Sequence, residues 1–295
     1  MMRLVIDNSR DVCHVVILWN AQAADMVDAK PAPRQASGDD LFRWIEQREA
    51  QQPQPWGRVL DAGTGHHSLA WLRALVATNA HMGSVVAVTG EPHLATALAQ
   101  DDGVHVCAGN WVDDQFLHDE APFDVIIADY LIGAIDGFAP YFQDQVINRL
   151  MRHLARGGRI YVIGLEPLCS LPADGDVGAF WVQEMARIRD ACILLAGKRC
   201  YREFPMTWTE RQLRKAGLTI RSSVRMTNVY TMASIGRQLQ VARNQLVAFR
   251  DEALAQSMQQ AIERMYTDVN KALGASGKIK FGFDYILMAS REEQP

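Results

Sequence analysis

The feature that most constrains this chain is the segment 58–65, in which a short apolar run ends on an acid and a pair of glycines follows. Such a run is typical of a buried parallel strand that passes into a tight turn and then a helix. Asp61 closes the run, and Gly63 and Gly65 follow it. Glycine lets the backbone pass close beneath a ligand, and the amides of the next helix point into the same turn. The segment therefore predicts a strand–turn–helix unit with a ligand at the turn.

The position of the acid indicates which ligand fits. In a dinucleotide-binding turn the glycines bind a pyrophosphate, and the acid comes ~20 residues later. Here Asp61 directly precedes the glycines, where its carboxylate can accept hydrogen bonds from an ammonium group. An amino-acid moiety fits this turn better than a phosphate, which disfavours a nicotinamide-dependent oxidoreductase. A turn that binds nothing is the alternative.

Strands and helices alternate along the rest of the chain, which predicts an α/β protein with a doubly wound, mainly parallel sheet. The run at 123–128 is continuously apolar, as expected for a strand buried on both faces. The predicted strands are 59–61, 84–88, 104–107, 123–128, 159–164, 218–226 and 281–289. The predicted helices between them are 68–79, 93–100, 142–154 and 209–216.

The acid-x-Gly-x-Gly pattern at Asp61, Gly63 and Gly65 resembles motif I of the class I (Rossmann-like) S-adenosylmethionine-dependent methyltransferases. The order of elements from 56 to 290 is similar to that family as well. The resemblance implies a seven-stranded sheet whose last strand is antiparallel, with helical insertions after strands five and six. It also implies S-adenosyl-L-methionine as cofactor, and an enzyme that transfers its methyl group.

The resemblance further implies which residues bind the cofactor. The methionine end of the cofactor is expected over Asp61, Gly63, Thr64 and Gly65. The third glycine of the family pattern is replaced by His67, and a side chain at this position narrows the turn or contacts the cofactor carboxylate. A packed or surface imidazole is the other interpretation of His67.

The remaining cofactor positions also depart from the family pattern. The family ends strand two with an acid that binds the ribose, but this position is Thr89, and Glu91 comes two residues later. We expect Glu91 to reach the ribose. After strand three we expect Asn110 to accept a hydrogen bond from the adenine amino group, and Trp111 to stack on adenine. An exposed Glu91 and a Trp111 that only packs are the alternatives.

Three residues are candidates for catalysis, because they follow strands four and five, where the family brings acceptor and methyl group together. Asp129 and Tyr130 follow strand four, with Asp129 also a cofactor candidate, and Glu166 follows strand five. Displacement at a sulfonium requires alignment and exclusion of water, and a hydroxyl or carbon acceptor also requires a base. The sequence shows no set of metal ligands, so we expect no metal.

The chain is expected to comprise an N-terminal extension and linker at 1–40 and a methyltransferase domain at 41–295. Insertion 168–206 is predicted to be a substrate lid, with a solvated surface helix as the alternative. In insertion 232–278, apolar residues recur mostly every three, four or seven positions, which predicts an amphipathic helical arm. Its apolar stripe either folds onto its own domain or pairs with a second subunit, so a homodimer through this arm is expected.

Composition limits the class of protein. The formal net charge of −4 disfavours a nucleic-acid groove, and no apolar run approaches the ~20 residues of a membrane span. Five scattered cysteines without a Cys-x-x-Cys pair indicate neither disulfides nor zinc, so we expect a cytoplasmic protein. The acceptor is predicted to be a small molecule, methylated at nitrogen, oxygen or carbon. A protein or RNA methyltransferase and a non-catalytic methyltransferase-like subunit are the alternatives.

Overall fold

The structure is a computed structural model, in which residues 37–273 and 277–292 are described. Most of the predicted N-terminal extension therefore lies outside the described residues. The chain divides into two units. Of the described residues, the first unit comprises 37–164, 201–224 and 285–292, and the second comprises 165–200, 225–273 and 277–284.

A seven-stranded sheet has the strand order β3-β2-β1-β4-β5-β7-β6. The pairs β3–β2, β2–β1, β1–β4 and β4–β5 are parallel. The strands are Gly57–Asp61 (β1), Met82–Thr89 (β2), Val104–Ala108 (β3), Phe123–Asp129 (β4), Leu154–Leu165 (β5), Thr219–Tyr230 (β6) and Ile279–Ser290 (β7). All seven predicted strands are present. The strand order reverses direction beside β1, and sheets of this kind bind ligands at such a point, beyond the carboxyl ends of their strands.

The last strand, β7, runs antiparallel to β5. The amide of Gly157, early in β5, donates to the carbonyl of Arg291, just beyond the end of β7, and the amide of Arg291 donates to Gly158, both at 3.0 Å. The sequence predicted a helix over 142–154 and a strand that begins only at 159. Instead the helix ends at Met151 and β5 begins at Leu154, because these glycines continue the hydrogen-bonded ladder with β7.

Nine α-helices accompany the sheet within the described residues. In chain order they are Ser37–Glu49 (α1), His66–Thr78 (α2), Pro92–Leu98 (α3), Leu131–Ala134 (α4), Gln143–Met151 (α5), Val177–Leu195 (α6), Met206–Lys215 (α7), Met232–Gln245 (α8) and Glu252–Leu273 (α9). None of them is both long enough and apolar enough to cross a bilayer.

Helix α1 is fixed to the first unit by a buried ionic network. Both Nε and Nη2 of Arg159, on β5, donate to the carboxylate of Glu49 at 2.8 Å, and the Tyr161 hydroxyl donates to the same carboxylate at 2.5 Å. The backbone amide of Trp56 supplies a fourth hydrogen bond at 2.8 Å. Glu49 is fully buried, so its charge is compensated by hydrogen bonds instead of water.

In the second unit the two predicted insertions form one common core. The apolar stripe predicted for 232–278 is buried there, on α8 and α9, against apolar residues of α6. The buried residues of the stripe are Ile235, Leu239, Ile262, Met265, Val269 and Leu273. The stripe therefore folds within its own unit, and the 168–206 insertion supplies the surface that covers it.

Candidate functional site

The turn after β1 surrounds a fully buried carboxylate. Asp61 has no exposed surface, and its Oδ1 accepts a long 3.4 Å hydrogen bond from the amide of Gly63. Its Oδ2 makes no hydrogen bond to any of the residues described. Burial raises the pKa of Asp61 to about 6, although the nearby hydroxyls of Thr64 and Ser68 and the Gly63 amide act in the opposite direction. A carboxylate in this state is stabilised by any cation that comes near it.

The turn is held rigidly between the neighbouring strands. The amide of Ala62 donates to Ile127 of β4 at 2.8 Å, and the amide of Thr64 donates to Val88 of β2 at 2.7 Å. A Cβ on Gly63 would lie 3.0 Å from a methyl carbon of Leu131. A side chain at Gly63 would therefore require the side chain of Leu131, the first residue of α4, to shift by a few tenths of an ångström.

A cleft opens at the carboxyl ends of the first four strands. One side is built from the β1 turn and the ends of β2 and β3, and the other from the segment after β4. Its lining residues are Ala62, Gly63, Thr64, Val88, Thr89, Gly90, Gly109, Asn110, Trp111, Leu131, Ala134, Ile135 and Phe138. Four of the predicted cofactor residues, Gly63, Thr64, Asn110 and Trp111, are thus brought together around one cleft.

The acid predicted to bind the ribose does not line this cleft. Glu91 is buried as the residue that precedes α3, and its Oε2 lies 2.8 Å from Nε2 of His93. The cleft is lined instead by Thr89, whose hydroxyl oxygen accepts a 3.3 Å hydrogen bond from the Glu91 amide. The structure thus places the side chain of Thr89, and not that of Glu91, at the cleft end of β2.

The side chains of Asn110 and Trp111 are held by other parts of the first unit. The Trp111 indole N–H donates to the carbonyl of Ala62 at 2.7 Å. Nδ2 of Asn110 donates to the carbonyl of Phe138 at 2.9 Å, while its Oδ1 accepts from the amide of Val112 at 3.1 Å. Because a carbonyl oxygen has two lone pairs, Oδ1 keeps one acceptor site for the predicted adenine contact.

Phe138 is a lining residue that the sequence reasoning missed. Its ring lies on Gly90, where an added Cβ would come within 2.3 Å of a ring carbon. Gly90 and Phe138 are far apart in the chain, and no strand or helix periodicity relates their positions. The available signal was the glycine directly after β2, which indicates that another group approaches the backbone closely.

Two of the candidate catalytic residues lie at the end of β4. Asp129 is its last residue, and Tyr130 follows in the left-handed conformation with φ of 48°. This backbone conformation costs a non-glycine residue about 1–3 kcal/mol, and such strain often accompanies functional sites. The amide of Tyr130 fixes the turn by donating to Ile163 of β5 at 3.1 Å. Neither residue lines the cleft, although the next residue, Leu131, does.

The other predicted positions lie elsewhere. Glu166 belongs to the second unit, where its amide donates to Phe283 at 3.0 Å. Gly65 precedes the first residue of α2. The side chain of His67 is exposed, with its ring centroid 5.2 Å from that of Phe42. Across residues 37–273 and 277–292, no group of three or more His, Cys, Asp or Glu side chains is placed to hold a metal ion.

Comparison with known proteins identifies the fold. No protein-family model matches the chain, and no curated protein matches it. A proposed methyltransferase from Bacillus halodurans C-125 is 14% identical, with 87% of this chain and 100% of that chain covered at a TM-score of 0.52. The chain has the class I methyltransferase fold. The predicted fold class is therefore confirmed, including its seven strands and its antiparallel β7.

Two further solved structures resemble this methyltransferase fold more distantly. The YcgJ protein from Bacillus subtilis is 18% identical, with 88% of this chain and 100% of that chain covered at a TM-score of 0.48. A mycolic acid cyclopropane synthase, solved with SAH and CTAB, is 15% identical, with coverages of 84% and 83% and a TM-score of 0.48.

Proposed function

We propose that this chain is an S-adenosylmethionine-dependent methyltransferase that acts in the cytoplasm on a small-molecule acceptor. The observation that carries the proposal is Asp61, a buried carboxylate with one oxygen lacking a hydrogen bond to any described residue, directly before the turn that lines the cleft. This is the acid of the motif I pattern on a class I methyltransferase fold.

The residues at the β1 turn fit the amino-acid end of this cofactor. An ammonium group in the cleft beside Gly63 would stabilise the ionised form of Asp61, because charges interact strongly where water does not screen them. The glycine leaves room for backbone contact, since no side chain projects from it. A pyrophosphate would instead repel the carboxylate of Asp61.

The other end of the cleft fits the adenosyl group. Its wall is apolar, with Val88, Leu131, Ile135 and the ring of Phe138, and flat aromatic and aliphatic surfaces suit a purine base. The hydroxyl oxygen of Thr89 already accepts a hydrogen bond from the backbone amide of Glu91. Its hydroxyl proton is therefore available to donate to a ribose oxygen. We propose that Asn110 and Trp111 also help to bind the adenosyl group, from the edge of the cleft. Glu91 is proposed to contribute as well, but less directly than either of them.

The chain's own residues would align the acceptor and exclude water. The cofactor, when bound, supplies a methyl group on a sulfonium whose departure as a thioether needs no acid. Asp129 and Tyr130 would orient the acceptor, and the Asp129 carboxylate would take the proton of a hydroxyl or carbon acid. The hydrogen bond from the Tyr130 amide to Ile163 keeps this turn in one conformation. Glu166, the third predicted catalytic residue, lies in the second unit, and its role stays a prediction from the sequence.

One observation favours a second candidate function, a methyltransferase-like subunit that binds the cofactor weakly and does not catalyse. No carboxylate side chain of the described residues lines the cleft at the end of β2, because Glu91 is directed to His93. A carboxylate at this point would contribute charge-assisted hydrogen bonds to the ribose hydroxyls, which are stronger than those of a neutral threonine. Binding measurements distinguish the two candidates.

The test is calorimetric titration with S-adenosylmethionine and S-adenosylhomocysteine, with NAD as the negative control. We expect micromolar binding of the first two ligands and none of NAD, and loss of binding in Asp61→Asn and Gly63→Val. Asp124→Asn is the matched control: Asp124 is near the amino end of β4, where its carboxylate accepts from Arg58. Unchanged affinity in Asp61→Asn contradicts the site.

Two further measurements separate the remaining alternatives. Glu91→Gln weakens binding if its carboxylate reaches the ribose, whereas Thr89→Val weakens it if the threonine hydroxyl does. Transfer of a labelled methyl group from S-adenosylmethionine to a panel of small amines, phenols and carboxylic acids then tests catalysis. Weak or absent binding of S-adenosylmethionine, together with no transfer to any acceptor class, would favour the non-catalytic subunit.

A further inference from the structure

The second unit carries an open groove on its surface, lined mostly by apolar residues. The groove lies between the carboxyl end of α6 and the turn that enters α9, and it has a volume of about 320 Å³. Its lining residues are Leu194, Leu195, Ala196, Gly197, Ala248, Phe249, Arg250, Asp251 and Leu254.

The apolar side chains at this groove are unusually exposed. Leu194 is 61% exposed, Leu195 46% and Leu254 37%, and Val247, on the same turn, is 91% exposed. Large apolar side chains clustered at one place mark interaction sites more often than leucines scattered singly over a surface. The apolar stripe of α8 and α9 is already covered within the unit, whereas the apolar residues around the groove remain open to a partner.

Two adjacent residues of opposite charge indicate which partner fits. Arg250 and Asp251 are both exposed, and neither forms an ion pair with any of the described residues. One oxygen of Asp251 accepts from the amide of Leu254 at 3.0 Å, which leaves the other oxygen available. A neighbouring plus–minus pair is complementary to itself when it is rotated by half a turn.

We propose that this groove is a self-association face, which binds the same groove of a second copy of the chain about a two-fold axis. The axis passes beside Arg250 and Asp251, so that the arginine of each copy pairs with the aspartate of the other. The leucines and Val247 around this double ion pair are then removed from water. Such an isologous contact uses one patch twice, and it closes as a dimer without leaving an open end.

The apolar part of the proposal is tested by sedimentation equilibrium of the full chain. The wild-type protein is expected to be a dimer at tens of micromolar, and Val247→Asp to weaken the dimer about tenfold or more. Because Val247 is 91% exposed, this substitution leaves the fold intact. Val112→Asp, at a half-exposed valine of the first unit, is the matched control and should remain a dimer. A wild-type monomer, or an unweakened Val247→Asp dimer, overturns the proposal.

The charge pairing is tested by reversing each charge separately. Arg250→Asp places two aspartates opposite each other, and Asp251→Arg places two arginines opposite each other, so each variant alone should be monomeric. An equimolar mixture should form a heterodimer, because every pair across the axis is then attractive. Thermal melts check that Asp251→Arg, which loses a helix cap, is still folded. Failure of the folded variants to associate on mixing overturns the two-fold arrangement.

Discussion

Replacing Asp61 by asparagine should stabilise the protein while it removes cofactor binding. The substitution keeps the shape of the side chain and removes a charge that has no exposed surface. Burial raises the pKa of this carboxyl from 3.8 to about 6, which corresponds to about 3 kcal/mol of differential free energy between the two protonation states. The free energy of unfolding is therefore lower by about this amount whenever Asp61 is ionised.

The cost depends on pH in a definite direction. Below pH 3.8 Asp61 is protonated in both the folded and the unfolded states, and the penalty is absent. Between pH 3.8 and about 6 the carboxyl ionises in the unfolded protein but stays protonated in the folded one, so the free energy of unfolding falls by up to about 3 kcal/mol across this window and the full penalty is present above it. In Asp61→Asn this loss does not occur. The amide NH₂ has the hydroxyls of Thr64 and Ser68 as potential acceptors, so we expect a net gain of about 1–3 kcal/mol at pH 7.5.

The assay is urea unfolding followed by circular dichroism at pH 4.5 and pH 7.5. Asp61→Asn should exceed the wild type at pH 7.5, and the difference between them should shrink at pH 4.5. Asp124→Asn is the control: its carboxylate accepts a hydrogen bond from the Arg58 amide at 2.8 Å, so this variant should lose stability. An Asp61→Asn protein that is no more stable at pH 7.5, or whose advantage is the same at both pH values, would refute the reasoning.

Three other substitutions test the remaining contacts. Glu49→Ala leaves the guanidinium of Arg159 buried without its partner, so it should cost about 3–5 kcal/mol in urea unfolding; a loss below 1 kcal/mol (about one ordinary hydrogen bond) contradicts the network. Gly90→Ala places a Cβ against the ring of Phe138, so it should lower the free energy of unfolding by about 1–3 kcal/mol and weaken cofactor binding. The double variant with Phe138→Ala should recover part of this stability. If the stability losses of the two single variants simply add up in the double variant, the contact is excluded. Trp111→Phe leaves a turn carbonyl without its indole donor and should lower stability by about 1–3 kcal/mol; unchanged melting contradicts this.

The order of elements and the β1 turn could be predicted because both depend on short, continuous stretches of sequence. A continuous apolar run predicts a buried strand, and glycines directly after it predict a turn. The predicted strands are all present, with ends shifted by a few residues. The largest shift was at Gly157 and Gly158, where pairing with β7 overrides the tendency of glycine to end a helix.

The side chains at the cleft could be predicted only in part. The sequence places Glu91 two residues beyond the usual acid, but it does not show whether Gly90 bends the chain toward the cleft. That direction is set by the ring of Phe138 against Gly90 and by the contact between Glu91 and His93. Both depend on how separate segments pack, and neither has a local pattern.

The sequence by itself determined the alternation of strands and helices, the acid–glycine turn and the amphipathic character of the arm, because each depends on residues a few positions apart. Only the tertiary structure decided that the two insertions share one core, that Glu49 neutralises Arg159 across 110 positions, and that Asp61 is buried without full compensation. Burial and charge compensation are properties of packed neighbours, and packing joins residues whose separation along the chain has no periodicity.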